Sequence, residues 1–466
     1  MTQVNAGADA RFITHLMNEF QLLARYPGNT PRYTSFPTAP HFEAAQGGQL
    51  YESWLAALPA DAPISVYFHV PFCRRLCRFC GCHTSVVHHD APMLTYTSHM
   101  MREIELVAAN IPHRVPVSHV HWGGGTPTAL PPECIEDLMA QLRTHFNVLP
   151  DAEIAFEIDP VTLTADQIAT LRKIGLTRAS VGLQDLDPKV QQAIGRPQSF
   201  EITQKAIDDL RAAGARSINL DLLYGLPFQT EDSVIRTAQG ALDLAPDRLS
   251  VFGYAHVPWM KKHQNLLPQA DLPGSEERFK QRAAIDRSLR EAGYVAIGLD
   301  HYAKPQDSLA QAMSQGRLRR NFQGYTDDNA ESLIGFGASS IGSLPQGYVA
   351  NITSVPAYSA AIHRGELPIA RIRGLLGEDR LRREVIFRIM CDLEADLPAV
   401  AARFESDAGL LADAHAALAE LAGDGIVEWD GQRVRVTETG RPFMRHVAAC
   451  FDPYFKQGVA RHSSSV

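Results

Sequence analysis

Four of the seven cysteines, Cys73, Cys77, Cys80 and Cys82, fall within one ten-residue stretch of the segment SVYFHVPFCRRLCRFCGCHTS. The first three have the spacing C-x3-C-x2-C and directly follow the apolar, β-branched run Ile64–Val70, so the thiols occupy a loop at a strand end. Thiols this close either bind metal or exchange disulfides. A structural zinc site usually takes two separated ligand pairs, and a second pair is missing. A redox pair of the thioredoxin type is C-x2-C alone. An iron–sulfur cluster suits the pattern better: three thiolates hold three irons of a cubane, and the fourth iron stays open to a ligand on which chemistry is done. Cys82 is a candidate fourth ligand that would close the cluster into an electron carrier. Alternate residues of an extended chain point the same way, however, so Cys80 and Cys82 compete for one corner, and Cys82 is read as a non-ligand.

The elements that position this loop follow a regular series. Strand-like runs occur at Ile64–Val70, Ser118–Trp122, Glu153–Ile158, Arg178–Gly182, Ser217–Leu223, Leu249–Tyr254 and Tyr294–Leu299. Helical stretches lie between them, from Leu94–Asn110 to Ser275–Ala292. Alternation of this kind predicts an α/β fold with a parallel sheet, and several runs are nearly continuous in apolar residues, as when both faces are covered. Six or seven units predict a partial (β/α)6 TIM-like barrel, with the chemistry at the C-terminal strand ends. The expected organisation is an N-terminal arm at 1–60, the barrel at 61–300, a Gly-, Ser- and Asn-rich connecting segment at 301–376 and a mainly helical C-terminal domain at 377–466. That last domain carries a small β-hairpin turning at Asp430-Gly431. Helices followed by a hairpin resemble a winged helix, one use of which is DNA binding.

Composition narrows the function class. The chain has 466 residues, 45% apolar and 21% charged, with a net charge of −8. This is a globular composition with no broad basic footprint for nucleic acid. There is no apolar run long enough for a membrane span and no signal-peptide pattern in MTQVNAGADARFITH. Seven cysteines are few and odd in number, which argues against a secreted disulfide framework; the expected location is cytoplasmic.

The cysteine loop resembles that of the radical S-adenosyl-L-methionine (SAM) enzymes. That resemblance implies a [4Fe-4S] cluster whose open iron binds SAM, and reductive cleavage of SAM to methionine and a 5′-deoxyadenosyl radical. From Pro31 to about Phe455 the chain is similar to a narrower family, the oxygen-independent coproporphyrinogen III oxidases. The motifs are PRYTSFPTA at 31–39, HWGGGTPT at 121–128, FEIDP at 156–160, GLQD at 182–185 and DLLYGLPFQT at 221–230. LSVFGYAHVPW at 249–259, GLDHYAKPQD at 298–307, RNFQGYT at 320–326 and CFDPY at 450–454 continue them.

The resemblance implies that Cys73, Cys77 and Cys80 hold the cluster. It further implies one SAM bound by Tyr67, Gly124, Glu157 and Ile341, and a second by Phe79, Gly125, Thr126, Gln184, Arg196, Asp221 and Ala255. Read without it, Gly123–Gly125 is a tight turn, Glu157 and Asp159 are strand-end carboxylates, and His69 is a core histidine. Tyr67 and His69, two apart on one strand, face the same side and are taken as catalytic candidates. The implied reaction converts two propionates of coproporphyrinogen III to vinyl groups, giving protoporphyrinogen IX, in a monomer supplied by an unidentified electron donor and acceptor. The substrate's carboxylates call for local cations. Candidates are Arg32, Lys304 and Arg317–Arg320, with Tyr33 and Phe36 of the arm expected to cover the site. The alternatives are a haem chaperone of the same superfamily, whose members resemble this chain but lack the counterpart of Cys82 and the arm, and a zinc protein with a nucleic-acid-binding wing.

Overall fold

The computed structural model describes residues 21–26 and 30–455. The readings made on MTQVNAGADARFITH, on positions 27–29 of the arm and on the terminal HSSSV lie outside the described residues. Seven parallel strands form the centre of a 13-stranded sheet: β1 (Ile64–Val70), β2 (Pro116–Gly124), β3 (Asn147–Ile158), β4 (Arg178–Gln184), β5 (Ser217–Tyr224), β6 (Arg248–Gly253) and β7 (Ser332–Phe336). Their order is β7-β1-β2-β3-β4-β5-β6, and antiparallel strands extend both edges. The helices Ala91–Ala109, Pro132–His145, Ala165–Ile174, Phe200–Ala213, Glu231–Asp243 and Ser275–Glu291 complete six βα units, and the sheet is an open, partial barrel.

The strands alternate more strictly than the sequence suggests. One set of side chains, including Val66, Phe68, Trp122, Phe156, Val181 and Leu220, is buried in the layer under the helices. Phe68, Trp122 and Phe156 stack along it at centroid distances of 4.3 and 4.9 Å. The other set faces the lumen and is mostly polar: His121, Glu157, Ser180, Asn219, Asp221, Arg248 and Ser250 line an internal cavity of about 140 Å3. The barrel therefore has a polar interior: both faces of the strands are covered, as expected, but only the face under the helices is apolar throughout. The period of two separates the faces.

Two further differences have local causes. The expected seventh strand, Tyr294–Leu299, is Val295–Ile297, and it pairs antiparallel with His301–Ala303 at the sheet edge. Three residues can close a hairpin but cannot contain the crossover a parallel strand needs, and Gly298, at φ +53°, makes the turn. The seventh parallel strand comes instead from the segment expected only to connect. Ser332–Phe336 pairs with β1, and Ile341–Leu344, Gly347–Asn351 and Ile369–Gly374 continue the sheet.

The C-terminal part packs helices Asp379–Asp392, Leu397–Arg403 and His415–Gly423 against a three-stranded sheet whose hairpin turns at Asp430-Gly431. Tyr33 and Phe36 of the arm are buried in this core, beside Phe451 and Leu381. The Tyr33 hydroxyl donates to Asp452 at 3.1 Å, and the Phe36 amide donates to the Tyr348 hydroxyl at 3.3 Å. They anchor the arm and do not cover the cysteine loop. CFDPY gains a physical account here: its Phe451 fills the core and its Asp452 holds the arm.

One buried acid joins the barrel to the added strands. Glu103 sits in the apolar stripe of helix Ala91–Ala109 and is 1% exposed. It accepts from the Gly337 amide at 2.7 Å, from Asn351 Nδ2 at 2.6 Å and from the Tyr358 hydroxyl at 2.6 Å. Burial pushes its carboxyl up to about 7. Loss of these bonds strands buried donors, so Glu103→Ala is expected to destabilise the chain by about 3 kcal/mol in denaturant unfolding. The folded state holds the Glu103 proton more tightly than the unfolded one, so stability should fall as pH rises from the ordinary carboxyl range to about 7. Glu103→Gln should lose that fall, measured as the difference between the two midpoints across the range.

Candidate active site

Each loop around the cysteines is held by its neighbours. After β1 the chain turns into a loop whose longest regular element is the two-residue pairing of Phe72–Cys73 with Ser85–Val86. The glycine turn after β2 docks on it, with Gly125 N donating to Val70 O and Thr126 N to Phe72 O, both at 2.8 Å. Glycine is required there. A Cβ on Gly125 would lie 2.5 Å from Phe72 O and from Thr84 Oγ1, and Gly124 adopts φ +114°. On the other side, Lys261 donates to Cys82 O, His263 Nε2 lies 2.8 Å from Cys80 O, and Gln264 donates to Phe79 O and Ala255 O. Arg78 reaches Ala193 O across the barrel mouth.

Cys73, Cys77, Cys80 and Cys82 line one cavity of about 180 Å3, together with Phe79, Gly124, Gly125, Thr126, Glu157, Gln184, Arg196 and Asp221. Every cysteine is a free thiol. Each of the first three has a donor beside its sulfur. Cys73 lies 3.1 Å from Thr84 Oγ1 and 3.5 Å from Thr126 Oγ1, Cys77 accepts from Arg196 Nη1 at 3.3 Å, and Cys80 accepts from the Cys82 amide at 3.4 Å. Burial pushes the Cys73 and Cys77 thiols up. A hydrogen bond from the Cys82 side chain pulls Cys80 down to about 6 and holds Cys82 well up. Free thiols converging on one cavity, with donors suited to thiolate charge, fit a group held by Cys73, Cys77 and Cys80. Cys82 lines the same cavity and donates its amide to the Cys80 sulfur.

The other expected residues divide. Glu157 accepts from the Gly124 amide at 3.2 Å and lies 3.5 Å from His121 Nε2. Arg196 bridges Cys77, Asp159 and Gly182 O, while Arg75 forks onto Asp159 at 2.9 and 3.1 Å. Asp221 is held by Ser180 and Asn219, and burial raises its carboxyl. The Tyr67 hydroxyl is 3.0 Å from His69 Nδ1, and His69 Nε2 is 3.1 Å from both His83 O and Ser339 Oγ. Burial raises the Tyr67 phenol and lowers the His69 imidazole, which keeps the pair neutral near pH 7. Tyr67 and His69 sit beside the cavity, and Ala255 is joined to Phe79 through Gln264. Ile341 does not line the cavity; it packs partly buried against Phe42 and Tyr348.

The basic candidates separate as well. Arg32 is exposed above the Phe252 ring at the mouth, at 5.8 Å, whereas Lys304 pairs with Asp247 at the barrel base. Arg320 donates to Arg32 O, Arg317 to Gln315, and Arg319 lines a different cavity. Sequence reasoning missed Thr84, Arg75, His263 and Gln264. Thr84 follows the fourth cysteine by two residues and was the only one within reach of a spacing argument. Gly125→Ala is expected to cut iron bound per chain several-fold after anaerobic reconstitution, since the new Cβ must displace backbone at Phe72; iron and sulfide analysis reads it directly.

Comparisons with known proteins agree with this geometry. Residues 67–240 match the radical SAM superfamily, and residues 375–443 match the HemN C-terminal domain. The oxygen-independent coproporphyrinogen III oxidase of Bradyrhizobium diazoefficiens is 50% identical over 436 residues, covering 94% of this chain and 97% of that one. Its counterpart in Paracoccus denitrificans is 41% identical over 449 residues, covering 96% and 99%. The structure of coproporphyrinogen III oxidase from Escherichia coli, a radical SAM enzyme, superposes with a TM-score of 0.87 at 35% identity, covering 93% of this chain and 99% of that one. With identity at this level over nearly the full length of both chains, and four free thiols gathered in one cavity at the strand ends, the chain belongs to the oxygen-independent coproporphyrinogen III oxidase family.

Proposed function

We propose that the chain is an oxidoreductase of porphyrin biosynthesis that converts two propionates of coproporphyrinogen III to vinyl groups, each with loss of CO2, giving protoporphyrinogen IX without oxygen. The observation that carries this is the gathering of Cys73, Cys77 and Cys80 with Gly124, Gly125 and Glu157 around one cavity. A bound [4Fe-4S] cluster with SAM supplies a 5′-deoxyadenosyl radical, reactive enough to take hydrogen from an unactivated propionate β-carbon.

The chain's own residues bind, orient and enclose. Cys73, Cys77 and Cys80 are the thiolate ligands, and Cys82 supports Cys80 through its amide and thiol. Glu157, with one oxygen on the Gly124 amide, accepts ribose hydroxyls of the first SAM, alongside Tyr67, Gly124 and, outside the cysteine cavity, Ile341. Gln184, Arg196 and Asp221, with Phe79, Gly125, Thr126 and Ala255, take a second SAM. Tyr67 and His69 form the catalytic pair: Tyr67 donates its proton to His69 Nδ1, which leaves the Nε2 proton to hold the backbone at His83. Arg32 at the mouth meets a substrate carboxylate. Two sites suit a reaction run twice on one substrate.

The finer parts of the reading are a cytoplasmic monomer fed by a separate electron donor and acceptor, with no nucleic-acid or membrane partner. In support, the hairpin's Arg433 and Arg435 are engaged by Glu394 and Glu428. Among the described residues, no helix is long and apolar enough to cross a membrane.

The test is anaerobic incubation of cluster-loaded chain with reductant, SAM and coproporphyrinogen III. Two methionines and one divinyl product should form per substrate; formation of neither overturns the proposal. Asp221→Asn should lower SAM bound at equilibrium from two per chain to one and leave the iron content unchanged.

A further inference from the structure

A cavity of about 460 Å3 lies between the C-terminal helices and the strands Arg319–Asn321 and Ile341–Leu344. It meets the barrel lumen only at Thr326 and shares no lining residue with the cysteine cavity. Its volume is that of a small-molecule site.

Its charges are unbalanced. Arg380 and Arg383 line it with no side-chain hydrogen bond or ion pair among the described residues, and Arg319 lines it within the field of Glu384 and Asp392 but in hydrogen-bond or ion-pair contact with neither. Arg320, 6% exposed, also lines it and leaves its buried Nη1 without a partner. Of the lining acids, Asp328 holds Ser65 and His119, and Glu384 pairs with Arg388 and with Arg403, itself a lining residue. Glu331 alone among them has no ion pair.

The walls add a second property. Arg380, Arg383 and Phe387 are spaced three and four residues apart on helix Asp379–Asp392, so they share one face. Phe322 and Tyr348 meet edge to face opposite, at 6.0 Å. Guanidinium forks favour planar oxyanions, and the aromatic rings favour a flat or ring-built apolar body.

We infer that this cavity binds the carboxylate arms of a propionate-bearing tetrapyrrole at a site separate from the cysteine cavity. The choice of a carboxylate rests on the proposed reaction, whose substrate and product both carry propionates. Occupied there, the ligand would clamp the C-terminal helix to the strands that close the barrel.

The test is equilibrium binding of coproporphyrin III, the stable oxidised analogue, to the cluster-loaded chain by fluorescence quenching. The wild type should bind two per chain. The Arg380→Ala/Arg383→Ala variant should bind one, with unchanged cluster absorption and unchanged KM for coproporphyrinogen III. Arg319→Ala, on a separate element, should weaken the second site about tenfold, and Arg380→Lys/Arg383→Lys should retain it in part and melt like the wild type. The tetramethyl ester should fill only one site.

One porphyrin per chain in the wild type, two retained in the alanine variant, or a raised KM in that variant would each overturn the inference. So would displacement of the second porphyrin by inorganic pyrophosphate at concentrations where tricarboxylates do nothing, which would make the ligand a phosphate. A wild type that binds two porphyrins but turns over no coproporphyrinogen would fail the proposed function alone.

Discussion

Four thiols reach one small cavity from a loop with almost no secondary structure, and the rest of the site is arranged around that constraint. A loop of this kind leaves backbone carbonyls and amides without ladder partners, and each one buried unpaired is costly. Here they are taken up from three directions: the glycine turn after β2, the segment Lys261–Gln264 after β6, and Arg78 reaching across to Ala193 O. The sulfurs receive Thr84, Arg196 and the Cys82 amide in the same way. The polar groups that order the loop also favour negative charge on the thiols, so folding the loop and preparing it for an anionic group are one act.

The same logic explains the glycines. Gly123, Gly124 and Gly125 leave room for three different neighbours: the Glu157 carboxylate, the His69 ring and the backbone at Phe72. A βα turn needs only one permissive residue. Three in a row are needed because the turn is pressed between two loops and a lumen acid. Behind it, Tyr96 donates to His69 O and accepts from the Ala338 amide, while Glu103 secures Gly337 and Asn351. The segment carrying Ile341 is thereby fixed to the strand carrying Tyr67 and His69, although the two lie some 270 residues apart in sequence (Ser339 to His69).

Much of this was legible in the sequence, and the illegible parts share a cause. The βα units show themselves because hydrophobic period and turn residues are local; the cysteine loop does because spacing is local. Glu157 reads as a strand-end carboxylate, whereas Gln184, Arg196 and Asp221 gain a role only through the family resemblance, since each alone reads as a surface or capping residue. Strand Ser332–Phe336 was hidden because its neighbours are glycine-rich and its pairing with β1 spans more than 260 residues. Tyr33 and Phe36 show the limit of carrying a role from a family segment: the segment is present, yet both rings are spent on the C-terminal core. Glu103 left a signal that was not used, an acid between Met100 and Val107 in an otherwise apolar helical stripe.

The C-terminal unit illustrates why an element's shape does not give its role. Helices ending in a small hairpin have the outline of a winged helix, and the hairpin's two arginines each have an acidic neighbour. Arg433 is met by Glu394, and Arg435 by Glu428. The unit's apolar surface is likewise committed, to Leu23, Tyr33 and Phe36 of the arm and to Phe279 of the barrel's last helix. The arm, the C-terminal helices and Phe279 therefore share one core beside that of the barrel, and Tyr454 extends it by joining Asp379 to Arg373 on the added strands. The unit is thereby tied to the arm and to the added strands. Its position fixes the strands that carry Ile341 and Tyr348, and through them the side of the barrel that the parallel strands leave open.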